Sequence, residues 1–162
     1  MDRKILDESN KIKLYNQSGL LSFYKGNYNE AMSFFRLSLE FSEKTNNQYG
    51  ILNAFTNIGL IYLEFIDYDN ALNHFKKAVL LSDKLSDVLT KSQILLNIGS
   101  CFLTMGLLGD SLNIYNEAYN IFQNLNNPRE TETALLNIAL IYAELSDVER
   151  ATKYSDESTK LY

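Results

Sequence analysis

A chain of 162 residues, 46% of them apolar, can bury a sizeable core, and one proline with seven glycines is too few for a loop-rich or disordered polypeptide, so helices are favoured. The net charge of -5 and the lack of any Lys/Arg cluster argue against nucleic acid, which calls for a basic stripe. Apolar runs only a few residues long, an N-terminus (MDRKILDESNK) without the apolar centre of a signal peptide, and a lone cysteine exclude a membrane partner and predict a cytoplasmic location.

Cut at intervals of forty residues, the chain aligns with itself four times without a gap, which marks a solenoid of stacked supersecondary units. The units run about 7–46, 47–86, 87–126 and 127–162, within one domain covering 1–162. In the first, helices are predicted over 8–25 and 28–44, with Asp7 and Asn27 as N-caps and Glu30 at capping-box spacing from Asn27. In the second they run 48–65 and 68–85, capped by Asn47 and Asp67. In the third they run 88–105 and 108–125, capped by Asp87, with Leu107 breaking the second cap column. In the fourth they run 128–145 and 148–161; Asn127 is followed by Pro128, pre-set for the first helical position, and by Glu130, and Asp147 caps the last helix. Two-residue turns make successive helices antiparallel.

The remaining columns describe the core. Gly19, Gly59, Gly99 and Ala139 lie mid-helix, where glycine costs on the order of 1 kcal/mol against alanine, so its repeated use implies a backbone contact too close for a side chain. Ala31, Ala71, Ser111 and Ala151 supply the matching small surface, and Phe35, Phe75 and Tyr115 fill the space beyond. Cys101 shares a column with Leu21, Ile61 and Ile141 and reads as a small core hydrophobe. His74, the only histidine, reads as a partly buried packing residue. Ser18, Ser22 and Ser155 replace apolar column members in the end units, as terminal repeats with polar outer faces require.

These residues resemble the tetratricopeptide repeat family. The second unit carries Phe55, Ile58, Gly59, Tyr62, Tyr68, Ala71, Phe75 and Ala78 at that family's motif positions. The third carries Leu95, Ile98, Gly99, Phe102, Leu108, Ser111, Tyr115 and Ala118, and the fourth keeps Ala139, Tyr142, Val148 and Ala151. The period of forty is similar to the long-helix subclass found in kinesin light chains and bacterial peptide-sensing regulators. HEAT and armadillo repeats share the period but not this order of residues. The resemblance implies an all-α, right-handed superhelical solenoid of four antiparallel helix pairs.

One column is neither core nor cap: the amides Gln17, Asn57, Asn97 and Asn137. Asparagine is a poor mid-helix residue, so something should offset its cost. By the resemblance, this position faces a concave groove where amides grip the main chain of an extended peptide, and one amide both donates and accepts. The other reading is that these side chains bond to a neighbouring repeat and set its stagger. The same comparison assigns to the groove wall the largely apolar set Leu20, Phe23, Tyr24, Leu60, Leu63, Leu96, Leu103, Leu136 and Leu140. Around these it places polar neighbours, including Lys13, Asn16, Asn53 and Glu64. Lys13 is the only base there, which does not match the Lys/Arg clamp of chaperone-binding members.

No catalytic constellation, metal site or cofactor motif is found in the sequence; Gly106 and Gly109 lack the context of a phosphate loop. The expected function is a non-enzymatic scaffold that binds a protein, as an extended peptide or partner helix, in an apolar groove. Two alternatives stay open: an architectural module that forms a homodimer, and a sensor module of a larger regulator whose output domain is absent here.

Overall fold

The computed structural model describes residues 3–161, with side-chain surroundings from residue 8 onward. Those residues form eight α-helices and no strand: α1 (Arg3–Tyr24), α2 (Tyr28–Lys44), α3 (Gln48–Glu64), α4 (Tyr68–Leu85), α5 (Val88–Thr104), α6 (Leu108–Asn124), α7 (Pro128–Glu144) and α8 (Val148–Thr159). The predicted bounds hold to within a residue or two, except that α1 begins at Arg3 and runs through Asp7. Asp7 is therefore not a cap by position, and its side chain lies outside the described residues.

Cap chemistry is more selective than the columns imply. Asn47 accepts from the Gly50 amide, Asp87 from Thr90, Asp67 from Asn70 and Asp147 from Arg150. Asn27 and Asn127 make no side-chain cap bond. The capping box expected of Asn27 and Glu30 does not form, because the Glu30 carboxylate accepts from the Ser22 hydroxyl at 2.8 Å instead. Pro128 does sit in the first turn of α7.

All but one of the turns have three residues instead of two, and every turn holds one left-handed residue. Gly26, Asn46, Ile66, Ser86, Gly106, Asn126 and Ser146 have positive φ, one every twenty residues. The following amide reaches back into the helix, as in Asn27 to the Ser22 carbonyl and Asp67 to that of Tyr62, both 2.9 Å, and so satisfies orphan carbonyls. Glycine adopts this conformation freely; the β-branched Ile66, at φ 60, is held there at a cost of roughly 1–2 kcal/mol.

The helices assemble into two compact units, Met1–Leu81 and Ser82–Tyr162. In the first, Ala31, Met32 and Phe35 of α2 pack with Ile58 and Ile61 of α3, flanked by Leu20 and Phe23 of α1. In the second, Tyr115 of α6 packs with Ile138, Ile141 and Tyr142 of α7, flanked by Leu96, Leu103, Leu112 and Tyr154. Phe35, Phe75, Tyr115 and Phe122 are fully buried, each contributing roughly 1.5–3 kcal/mol through burial.

The glycine column works differently from the expected backbone contact. A Cβ on Gly19 would lie 2.5 Å from the Phe35 ring, one on Gly59 2.6 Å from Phe75, and one on Gly99 2.8 Å from Tyr115. The aromatic ring of the second helix itself lies on the bare backbone of the first. Where the fourth repeat has Ala139, the ring position holds Ser155, so the two substitutions compensate sterically. Small-residue contact is present too, since the Ser111 hydroxyl donates to the Gly99 carbonyl at 2.8 Å. Gly50 is a further close contact, its missing Cβ leaving room for the buried Ser42 hydroxyl.

Cys101 is buried, as its column predicts, but Leu21 of the same column is 58% exposed. On the face of α1 that carries Leu21, the described residues provide no covering helix.

Candidate functional site

The amide column sits on the first helix of each pair, and its members have different surroundings. In the first unit Gln17 is exposed, whereas Asn57 is half-buried and its Nδ2 donates to Asn16 Oδ1 at 2.8 Å. That bond ties α3 to α1, from the second repeat to the first, as the stagger-setting reading requires. In the second unit Asn97 is half-buried on α5, and Asn137 Nδ2 donates to the Thr133 carbonyl one turn back at 2.9 Å, offsetting the cost of asparagine within its own helix. Each of these bonds uses the amide nitrogen, which leaves the acceptor capacity of the Asn57 and Asn137 oxygens available.

Beside the Asn16–Asn57 pair lies an open pocket of about 210 Å3. It is lined by Ile12, Lys13 and Asn16 of α1, Ser38 of α2, the cap Asn47, and Tyr49, Gly50 and Asn53 of α3. Lys13, Asn16 and Asn53 were assigned to the wall from sequence. Tyr49, 55% exposed, was not, and its only sequence signal is an aromatic outside every buried column. At this corner Asn47 caps α3 through the Gly50 amide, and the missing Gly50 side chain leaves room for the Ser42 hydroxyl behind it.

The apolar wall is less exposed than a docking strip of free side chains. Leu20 and Phe23 are half-buried against the Ile58 and Ile61 cluster, and Leu96 and Leu103 against Ile138 and Ile141. Leu60 and Leu63 are half-buried as well. Tyr24 is exposed, its ring 5.8 Å edge-on from Phe23. Leu136 and Leu140 are exposed and line an open trough on α7 and α8 with Ala139, Ala143, Ala151, Thr152, Ser155 and Asp156. Repeat stacking thus takes up Leu20 and Phe23 in the first unit and Leu96 and Leu103 in the second.

Electrostatics around these faces come from local pairs. A hydrogen bond to Glu64 holds the Tyr28 phenol above its ordinary range. Burial, then the bond to Glu157, pushes Tyr119 up to about 12. The Asp147 carboxyl is held below the usual carboxylate range by its bond from Arg150. His74 is half-buried between the rings of Phe55 and Tyr62, its Nδ1 2.8 Å from the Asn70 carbonyl oxygen, as expected of a packing residue. Burial pushes the Cys101 thiol up to about 11. Among the described residues no group of three or more His, Cys, Asp or Glu could hold a metal ion, and no helix is long and apolar enough to cross a membrane.

A family model described as "Tetratricopeptide repeat" matches residues 11–81 and 90–162. Among curated proteins no sequence matches. Solved structures of similar fold include aspartyl phosphate phosphatase F from Bacillus subtilis (TM-score 0.91, 18% identity, covering 99% of this chain and 41% of that one). The Rap conjugation gene regulator of the plasmid pLS20, in complex with the Phr* peptide, is also similar (TM-score 0.80, 22% identity, 94% and 43%). So is BtubC from P. vanneervenii (TM-score 0.84, 16% identity, 93% and 62%). The chain thus spans less than two thirds of the length of each of these proteins.

Proposed function

Because the chain belongs to the tetratricopeptide repeat family, we propose that its four repeats act as one protein-interaction domain that binds an extended peptide segment along the first-helix faces. The observation that carries this reading is the amide cluster on α1 and α3: Asn16, Asn53 and Asn57, with Lys13 and Tyr49, around an open pocket. Amide oxygens and nitrogens suit a peptide main chain of any sequence. Gln17, Asn97 and Asn137 extend the set, while Tyr24, Leu60, Leu63, Leu136 and Leu140 supply apolar contact beside it. Leu20, Phe23, Leu96 and Leu103 support that face from their half-buried positions. The pLS20 Rap regulator, similar in fold, holds the Phr* peptide. No catalytic role is proposed, since the single histidine is a ring-packed residue and the single cysteine a buried thiol.

The test is selection of a random linear peptide library on the 162-residue chain, followed by fluorescence anisotropy of the selected peptide. Replacing Asn57, Asn97 and Asn137 by alanine removes three bonds worth about 1 kcal/mol each, so affinity should fall about a hundredfold with helicity unchanged. If no peptide is enriched, or the triple variant binds the selected peptide at wild-type strength, the reading fails.

A further inference from the structure

Each compact unit contains one joint between successive repeats. Leu20 and Phe23 of α1 and Met32 of α2 receive Ile58 and Ile61 of α3; Leu96 and Leu103 of α5 and Leu112 of α6 receive Ile138 and Ile141 of α7. Each joint has a trough on one helix pair and an incoming first helix. Forty residues beyond Leu96, Leu103 and Leu112 stand Leu136, Ala143 and Thr152. On α7 and α8 that same trough is open, with a volume of about 450 Å3, and its Leu136 and Leu140 are 46% and 47% exposed.

The other half of the joint is bare on α1. Leu14 occupies the column of Ala54, Ile94 and Ala134, and Leu21 that of Ile61, Cys101 and Ile141. Those six residues are at most 1% exposed, whereas Leu14 and Leu21 are each 58% exposed. Two leucines seven positions apart share one helix face. A helix face meant for water would carry polar side chains there, as Ser18 does in the isoleucine column between them. Charge points the same way: α1 carries four bases to two acids, and α7 one base to three acids.

We propose that α1 of one copy seats in the α7/α8 trough of a second copy, continuing the repeat register from chain to chain. Leu14 and Leu21 take the places that Ala134 and Ile141 hold in the internal joint, over Leu136 and Leu140. The interface is heterologous, so it closes into a ring or extends into a filament. Its α1 half lies outside the proposed peptide-binding face, whereas its trough half shares Leu136 and Leu140 with that face, so the Leu14→Glu, Leu21→Glu variant separates self-association from peptide binding.

The experiment is sedimentation equilibrium on the full chain and two double variants, Leu14→Glu with Leu21→Glu and Leu136→Glu with Leu140→Glu. Expected are a wild-type mass that rises with concentration, monomer mass for each variant alone, and a dimer of twice the monomer mass when the two are mixed. The mixed dimer has one intact α1 face and one intact trough, already joined, so it cannot grow. A monomeric wild type at its highest soluble concentration, a dimer of either variant alone, or a monomeric mixture would each overturn the proposal. Circular dichroism confirms that each variant is folded, and glutamine replaces glutamate in any pair that is not.

Discussion

Alanine in place of Gly59 should destabilise this protein although alanine is the better helix former. On an open helix surface the change gains about 1 kcal/mol. Here the new Cβ would lie 2.6, 2.8 and 3.0 Å from three atoms of the Phe75 ring, where ordinary carbon contacts begin near 3.5 Å. The ring is fully buried, so moving it means displacing its packing neighbours. Overpacking of this kind costs about 1–3 kcal/mol, and contact with three ring atoms places it in the upper half of that range. The net loss should be roughly 1–2 kcal/mol, lowering the melting midpoint by about 2–8 °C for a chain of this size. Thermal melts followed at 222 nm would measure it, with Gly109→Ala as control. No atom lies within 4 Å of a Cβ at Gly109, so that variant should hold or gain stability. A cycle with Phe75→Leu separates sterics from propensity: the double variant should lose less than the sum of the singles, because leucine can vacate the space. Gly59→Ala melting at or above wild type, with an additive cycle, would refute the ring-on-backbone account.

Ile66 is held at φ 60 and is 71% exposed, so Ile66→Gly should raise stability by about 0.5–1 kcal/mol in a urea titration, the relieved strain exceeding glycine's entropy cost. Asp87→Ala removes a working cap and should cost about 0.5–2 kcal/mol. Asn127→Ala, at a cap position without a side-chain bond, should stay within about 0.5 kcal/mol by the same titration. Cys101 should resist an aromatic disulfide reagent at mildly alkaline pH until the chain is unfolded. Its folded pKa, about 11, is raised above the ordinary thiol value. Its contribution to stability is therefore complete below that ordinary value and is lost as pH rises towards 11. Denaturation midpoints measured across that window should fall less steeply in Cys101→Ala.

The sequence by itself determined the helix pairs and most of their bounds and buried columns, the start of α1 and the exposed Leu21 excepted, because a forty-residue period superimposes independent copies of the same physical demands. A residue required to be small or aromatic in one repeat is required again in the next, so Gly59, Phe75 and Ala71 identify one another without coordinates. Tertiary structure decided what those columns touch. Glycine spacing could not distinguish a backbone neighbour from the Phe75 ring, because both demand the same missing Cβ. Cap columns could not show that Glu30 bonds to Ser22, since the choice depends on which hydroxyl lies within reach. The amide column was legible as an anomaly, but only the packing of α3 on α1 shows that Asn57 bonds to Asn16. The apolar first-helix strip was legible too. How much of it remains open depends on whether the next first helix covers it, which is why Leu96 is half-buried and Leu136, its counterpart one repeat later, is exposed.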